Sequence, residues 1–226
     1  MSDSIPSKDD APAGWPRRSK GDKSRAAILL AAAQLATTRG LQGLSLGDLA
    51  SHLGMSKSGL YAHFKSKEEL ELATIETAAQ MFDREVLQSV RAAPPGTRRL
   101  KTLVEAFLSH LERRVFPGGC FFAAVSAELD TRPGRAHDRV LEVLGDWRSL
   151  IRQCLDEART HQEIDRKADL EQAVFEVQGM LTAANFLFVM TNDPMPLRHA
   201  RKGVQNVLDR LPARLAPKKQ RTRHEA

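Results

Sequence analysis

The chain has 226 residues, a net charge of +6, 42% hydrophobic residues and only two cysteines. This apolar content is enough for a folded core and excludes a wholly disordered chain. The cysteine count excludes a disulfide-stabilised scaffold, and the polar, acidic start of the sequence differs from a signal peptide, so we expect a cytoplasmic protein.

The charges are unevenly distributed along the chain. Residues 1–67 contain ten Lys and Arg against five Asp and Glu, residues 68–212 contain 19 against 22, and residues 213–226 contain five against one. This distribution indicates a nucleic-acid-binding head on a mildly acidic body. No apolar run looks long enough to span a bilayer and no basic amphipathic helix is evident, so we expect no membrane partner.

The sequence predicts an all-α fold, because apolar residues recur at helical spacing and strand-like alternation is missing. Residues 1–21 have little to bury and are expected to form a disordered basic arm, either a solvated tail or an extension that contacts DNA. A first helix should run from about Asp22 to Arg39 and end at Gly40.

Residues 44–67 predict two short helices joined by a tight turn. Ser45 and Asp48 form a capping box at the start of the first helix. Gly54 suits the left-handed position after its last turn, and Ser56 can cap the second helix. This spacing is typical of a helix-turn-helix unit.

On the second short helix, Leu60 and Phe64 are expected to face inward. The remaining positions carry small, polar or basic side chains suited to a DNA groove, namely Lys57, Ser58, Gly59, Tyr61 and His63. Glycine is unusual inside a helix, and we expect close approach to DNA to explain Gly59.

The run 48–70, DLASHLGMSKSGLYAHFKSKEEL, resembles the DNA-binding domain of TetR-family repressors. The resemblance extends upstream through 25–28 (RAAI), Ala33 and Gly40. It implies a three-helix DNA-binding domain over 22–67. It also implies groove contacts from Lys57, Ser58, Gly59 and His63, and phosphate contacts from Arg25, Ser45, Ser56, Tyr61 and Lys67.

A longer helix follows the helix-turn-helix unit. Ser66 and Glu69 form a capping box at its start, and no Gly or Pro interrupts the sequence before Pro94. We therefore predict one unbroken helix to about Arg91 that connects the DNA-binding domain to the body. Lys67 in its first turn opposes the helix dipole, and a bound phosphate would relieve this conflict.

Residues 68–212 are predicted to form a helical ligand-binding and dimerisation domain, and 213–226 a basic disordered tail. Further helices are expected at about 96–115, 120–129, 136–160, 168–191 and 195–211. Helix 168–191 has two apolar stripes and so needs two packing partners. The resemblance implies that this helix and 195–211 form a four-helix interface in a homodimer.

Polar and aromatic residues at or near the apolar stripes of the body could line a cavity for a small apolar ligand. Each alone also fits an ordinary core or edge residue. The candidates are Phe82, Phe107, His110, Phe121, Phe122, Glu128, Trp147, Gln178, Asn185 and Phe186.

We find no sequence motif of an enzyme: no nucleophile elbow, no phosphate-binding glycine loop and no metal-ligand cluster. We therefore predict no catalytic residues, no cofactor and no metal. The expected function is a ligand-responsive transcriptional regulator, a repressor that binds a palindromic operator as a dimer and is released by a small apolar effector. The alternatives are a constitutive DNA-binding protein and an activator.

Overall fold

A computed structural model describes residues 20–211, and in this range every regular element is helical, as predicted. The predicted arm 1–21 and tail 213–226 lie outside the described residues, except for Lys20 and Gly21, with which the first helix begins. The helices are α1 (Lys20–Arg39), α2 (Leu46–His52), α3 (Lys57–Tyr61), α4 (Lys67–Phe82), α5 (Gln88–Ala92), α6 (Thr97–Glu112), α7 (Phe121–Leu129), α8 (Arg135–Thr160), α9 (Leu170–Thr191) and α10 (Met195–Asp209).

The ends of α2, α3 and α4 are fixed by local capping. The hydroxyls of Ser45, Ser56 and Ser66 each accept a hydrogen bond from the amide three residues later, at 3.0, 3.1 and 3.1 Å. Such bonds satisfy amides that a helix start leaves free. Gly54 between α2 and α3 has a φ of +63°, the left-handed conformation that its residue type favours. The predicted helix-turn-helix unit is thus confirmed.

The three N-terminal helices enclose a small apolar core that continues into α4. Leu49, Leu60 and Phe64 are completely or almost completely buried, together with Ile28 of α1 and Leu70 of α4. Helix α1 packs on α4 and also on α7, which belongs to the body. Through α1 and α4, the helix-turn-helix unit therefore contacts the body at two places.

The predicted unbroken helix to Arg91 is wrong in one respect. The chain stays helical from Lys67 to Ala92, but residues Asp83–Leu87 form a π turn between α4 and α5. Phe82 before this turn is buried, and Leu87 within it packs against the core of the body. Such π turns are often located at functional sites.

Helices α6 and α8 pack together in the body, α8 and α9 likewise, and α9 has its most extensive contacts with α10. The inward stripes predicted on α6 and α10 are buried, with Leu103 and Leu108 on α6 fully enclosed and Val204 and Val207 on α10 at 3% and 2% exposure. Asn192 ends α9 in the left-handed conformation, with a φ of +58°.

Helix α9 has one apolar face buried in the chain and one exposed. Leu181 and Phe188 are buried, whereas Phe175, Phe186 and Met190 are 60–73% exposed. By length and composition α9 could cross a membrane, with a mean hydropathy of 1.5, which corrects the expectation that no apolar run is long enough. Glu171, Glu176, Gln178 and Asn185 interrupt the apolar run in the sequence. The mean hydropathy of the helix is nevertheless high enough to pass as a membrane span. Part of the helix, 39% of the apolar window, is buried in the body of this chain.

Candidate nucleic-acid interface and ligand cavity

Helix α3 presents a polar surface opposite its buried face. Leu60 is fully buried, whereas Lys57 and Ser58 are exposed and Tyr61 is 57% exposed. Lys57 and Tyr61 have no hydrogen-bond or ion-pair partner in the part of the chain that the structure describes. His63, just after the helix, is half-buried and lies near the Phe64 ring. These side chains are available for contacts outside the chain.

Two of the predicted phosphate contacts, Ser45 and Ser56, are N-cap residues whose hydroxyls already have partners. The Ser45 hydroxyl donates to Asp48 at 2.6 Å, and that of Ser56 lies 3.2 Å from the Ser58 hydroxyl. A phosphate near either helix start would also be favoured by the positive end of the helix dipole.

The two cationic residues among the predicted phosphate contacts have partners within the chain. Lys67 Nζ donates to the carbonyl of Gln42 at 2.5 Å and lies 3.7 Å from Glu71. Arg25 lies over the Phe64 ring, 4.9 Å from its centroid, and 3.9 Å from Glu69. A phosphate at either position would compete with these interactions.

Gly59 has a structural explanation within the chain. A Cβ atom at this position would lie 3.1 Å from the Ser56 hydroxyl, which caps α3. A side chain at residue 59 would press on the cap, so the glycine has an explanation within the chain besides close approach to DNA.

Glu128 was predicted to line the cavity but instead joins α7 to the DNA-binding unit. Its two carboxylate oxygens accept hydrogen bonds from the amides of Leu41 and Gln42, at 2.7 and 2.9 Å. A Cβ atom at Gly40 would lie 2.9 Å from the same carboxylate. Glu128 is therefore engaged at the junction and does not line the cavity.

The body contains a cavity of about 650 Å³ between the π turn and helices α6 to α9. Its volume lies in the range of small-molecule sites. The wall is mostly apolar, with Leu87, Val143, Leu144, Leu150 and Leu181 among its members.

Six of the ten predicted residues line this cavity, and four do not. Those in the wall are Phe82, Phe107, Phe122, Trp147, Gln178 and Asn185. Phe186 is 60% exposed on the outer face of α9, because the apolar stripe that includes it faces away from the body. Phe121 and His110 are buried behind the wall and pack against Phe116.

The aromatic residues form one connected group around Phe82. Its ring makes edge-on contacts with Phe107, Phe122 and Trp147 at centroid distances of 6.4, 6.2 and 5.5 Å. Edge-to-face contacts of this kind stabilise ring pairs beyond simple burial. Phe82 is the last residue of α4, so the helix that starts at the DNA-binding unit ends in the wall of the cavity.

Charged residues at the cavity were missed by sequence reasoning. Asp83, Asp130, Arg139 and Asp146 all line it. Arg139 is bound by Glu76 on α4 and lies 3.0 Å from Glu142, and these carboxylates raise its pKa. These residues lie on polar helix faces, where sequence alone gives no sign of a nearby cavity.

Asn185 is 7% exposed, and its orientation is fixed by the loop before α7. Its Oδ1 accepts a hydrogen bond of 2.8 Å from the backbone amide of Cys120. Gly119 permits this approach, because a Cβ atom there would lie 2.4 Å from Asn185 Oδ1 and its φ of +83° also favours glycine. The amide nitrogen of Asn185 is left without a hydrogen-bond partner in the described chain.

His110 is the one described residue with buried side-chain nitrogens that lack any partner. Burial lowers its pKa from 6.5 to about 4, an effect opposed by Glu85 and reinforced by Arg113. The ring is therefore neutral at pH 7. It lies edge-on to Phe82, at a centroid distance of 5.8 Å, directly behind the cavity wall.

Within residues 20–211 there is no group of three His, Cys, Asp or Glu side chains that could hold a metal ion. Both cysteines are buried and free, and burial raises the pKa of each thiol, to about 12 for Cys154. Neither has the character of a reactive thiolate.

A helix-turn-helix head joined to a helical body with a cavity is the arrangement of a DNA-binding transcriptional regulator. Two family models agree: residues 28–74 match the model described as bacterial regulatory proteins, tetR family, and residues 96–204 match the tetracyclin repressor-like, C-terminal domain. The chain belongs to the TetR family, whose members are not enzymes.

Comparison with individual proteins supports this assignment. The transcriptional activator FasR of Mycolicibacterium smegmatis is 35% identical over 104 residues, which cover 45% of this chain and 48% of that protein, so the match spans about half of its length. A TetR transcriptional regulator from Chloroflexus aurantiacus has a TM-score of 0.79 at 26% identity, covering 87% of this chain and 99% of that one. AibR, solved with isovaleryl coenzyme A and operator DNA, has a TM-score of 0.64 at 22% identity, covering 83% and 97%.

Proposed function

We propose that this protein is an effector-responsive repressor that acts on its operator in the cytoplasm. Residues 22–67 are the DNA-binding unit and residues 68–212 bind the effector and form the dimer. The observation that carries the proposal is the 650 Å³ cavity, whose wall includes the end of the helix that begins at the DNA-binding unit. A solid body would have favoured a constitutive DNA-binding protein.

The DNA contacts follow from exposure and from the family. Lys57, Ser58, Gly59 and His63 face the major groove, and Arg25, Ser45, Ser56, Tyr61 and Lys67 bind phosphates. AibR was solved with operator DNA, which supports this use of the fold. Phosphate contacts set the position of the protein on the duplex, whereas base contacts specify the sequence.

The operator-binding form is a homodimer through α9 and α10. Support comes from the exposed apolar stripe of α9, with Phe175, Phe186 and Met190. A second copy would cover this stripe with its own and would place two α3 helices on one face of a roughly palindromic site.

The effector acts by displacing Phe82 and the π turn, and with them the helix that leads to Lys67. A shift at the Phe82 end changes the separation of the two α3 helices. Both helices must fit successive major grooves of one duplex, so a small change in their separation weakens DNA binding. A 100-fold loss of DNA affinity requires about 2.7 kcal/mol of coupling, and by linkage DNA must weaken effector binding equally.

The first experiment selects an operator from random duplexes and measures affinity against salt concentration. Tyr61→Ala should weaken all duplexes alike and Lys57→Ala should also relax the sequence preference, whereas Lys101→Ala on α6 should change neither. Binding that is insensitive to salt and to the first two substitutions would contradict the proposed interface.

The second experiment adds fractionated apolar metabolites to the operator complex. Leu144→Trp fills the cavity and should abolish release, whereas Leu141→Trp, on the same helix but 59% exposed, should not. Equal release from both variants would show that the effector binds elsewhere. No release from the unsubstituted protein by any fraction would favour a constitutive DNA-binding protein.

Activation is the second candidate, because the relative that is 35% identical is named a transcriptional activator. A reporter gene with the selected operator placed at its natural distance from the promoter distinguishes repression from activation. Repression predicts higher expression when the gene for this protein is deleted, and activation predicts lower expression.

A further inference from the structure

Three uncharged polar side chains of the cavity form a line on α9. Gln178, Thr182 and Asn185 all line the cavity and lie four and three residues apart, on one side of the helix. The aromatic rings of Phe82, Phe107 and Trp147 come from three other helices. The cavity thus has an apolar wall of tilted and edge-to-face rings and a polar strip on α9.

The buried end of this strip offers only a hydrogen-bond donor. The Cys120 backbone amide can only donate, so the oxygen of Asn185 must face it and the NH2 group must point the other way. That NH2 group has no partner in the described chain, and it is not one of the fully buried polar atoms, so it is accessible from the cavity that Asn185 lines. A ligand oxygen that enters the cavity can accept its hydrogen bond in place of water.

The cavity has no cation available for an anionic ligand. The only basic residue among those that line it, Arg139, is already bound by Glu76 and Glu142. Asp83 is likewise neutralised, by a two-pronged contact with Arg91 at 2.7 and 2.8 Å. Asp130 and Asp146, both exposed, have no ion-pair partner among residues 20–211 and would repel an anion.

We propose that the effector is an uncharged, ring-containing molecule with a carbonyl or similar oxygen that accepts a hydrogen bond from the Asn185 amide. This inference rests on the proposed function, since it concerns the ligand of the same cavity. Carboxylates and acyl thioesters of coenzyme A are disfavoured because their negative charges would be desolvated beside aspartates without a free cation.

The test is calorimetric titration of the full-length protein with four probes of one skeleton: 2-acetylnaphthalene, 2-ethylnaphthalene, 2-naphthoate and 2-naphthylmethylammonium. The ketone should bind up to about tenfold more tightly than the ethyl compound, as expected for the net gain of one hydrogen bond. It should also bind more tightly than either ion. Tighter binding of the carboxylate or the ammonium would overturn the inference.

The Asn185→Asp variant keeps an oxygen for the Cys120 amide but replaces the free donor by an acceptor. Its affinity for the ketone should fall at least tenfold, with the ethyl compound unaffected, whereas the same change at the exposed Gln88, Gln88→Glu, should alter neither. If Asn185→Asp does not fold, the inference is still tested by comparing the affinities of the ketone and the ethyl compound for the unsubstituted protein.

Failure of the inference is distinguishable from failure of the proposed function. If the ions bind best and Leu144→Trp abolishes their binding, the cavity is a ligand site with a different preference, and only the inference falls. If no probe binds, or if binding is unchanged by Leu144→Trp, the cavity is not the ligand site and both fall.

Discussion

The Glu128 carboxylate on α7 accepts a hydrogen bond of 2.7 Å from the backbone amide of Leu41, a residue 87 positions earlier in the chain. The adjacent amide of Gln42 donates to the other carboxylate oxygen, and the Gln42 carbonyl accepts from Lys67. Helix α7 also contributes Phe122 and Ser126 to the cavity wall. The body is therefore connected to the DNA-binding unit by this contact as well as by α4.

Replacing Glu128 by Gln should weaken this connection. An amide can accept one of the two hydrogen bonds, but its NH2 group would face the second backbone amide. We expect a loss of about 1.5–3 kcal/mol in the free energy of unfolding, the range for hydrogen bonds to charged groups. Hydrogen exchange of the Leu41 and Gln42 amides should accelerate. Asp130→Asn, at the end of the same helix, is the control and should leave exchange unchanged; equal exchange rates in both variants would contradict this role.

The neutral, buried His110 predicts a dependence of stability on pH. The unfolded chain binds a proton at this ring below about pH 6.5, whereas the folded chain does so only near the lowered pKa of about 4. The free energy of unfolding should therefore fall by about 3 kcal/mol as the pH drops through this window. His110→Leu should remove that part of the pH dependence in denaturant titrations, and the exposed His52→Leu should not. Parallel pH profiles for unsubstituted protein and His110→Leu would refute the assignment.

The exposed stripe of α9 predicts which substitutions separate the dimer. Phe175→Glu and Met190→Glu should give folded monomers in sedimentation, because both side chains are exposed in the single chain. Leu181→Glu should instead unfold the body, since Leu181 is 1% exposed and packs inside it. A monomeric unsubstituted protein at micromolar concentration would rule out the α9 interface.

Two glycines of the helix-turn-helix unit should respond differently to alanine. A Cβ atom at Gly47 would be tight only against the flexible end of Lys57, at 3.3 Å, and in ordinary contact with the Ser45 hydroxyl, at 3.7 Å, so Gly47→Ala should stabilise α2 by up to about 1 kcal/mol. At Gly59 the same gain should be offset by disturbance of the Ser56 cap, itself worth about 1 kcal/mol. Thermal melts should therefore show a gain only for Gly47→Ala, and a comparable gain at Gly59 would mean that the cap tolerates the methyl group.

Local signals in the sequence sufficed to predict the helices. The caps at Ser45, Ser56 and Ser66 and the left-handed Gly54 lie where their residue types predict them, because these interactions involve neighbours in the chain. The π turn escaped prediction because Asp83–Leu87 has ordinary helix-forming residues, and only packing decides the hydrogen-bond pattern.

The cavity could be predicted only in part, since it depends on which face of each helix turns inward. Helical spacing correctly grouped Phe82, Phe107 and Phe122. On α9, two stripes are similarly apolar, and the sequence cannot tell that Leu181 is buried and Phe186 exposed. Glu128 was misassigned because its partners, two backbone amides of a distant loop, leave no trace in the pattern of side chains.

The position of Trp147 makes the cavity optically accessible. The chain has two tryptophans, and Trp15 lies outside the described residues, so a Trp15→Phe variant carries a single indole, in the cavity wall. Indole emission responds to the polarity of its surroundings, and a molecule that displaces water from beside this ring will change both colour and intensity. Compounds can then be screened for occupancy by intrinsic fluorescence alone, before any operator sequence is known.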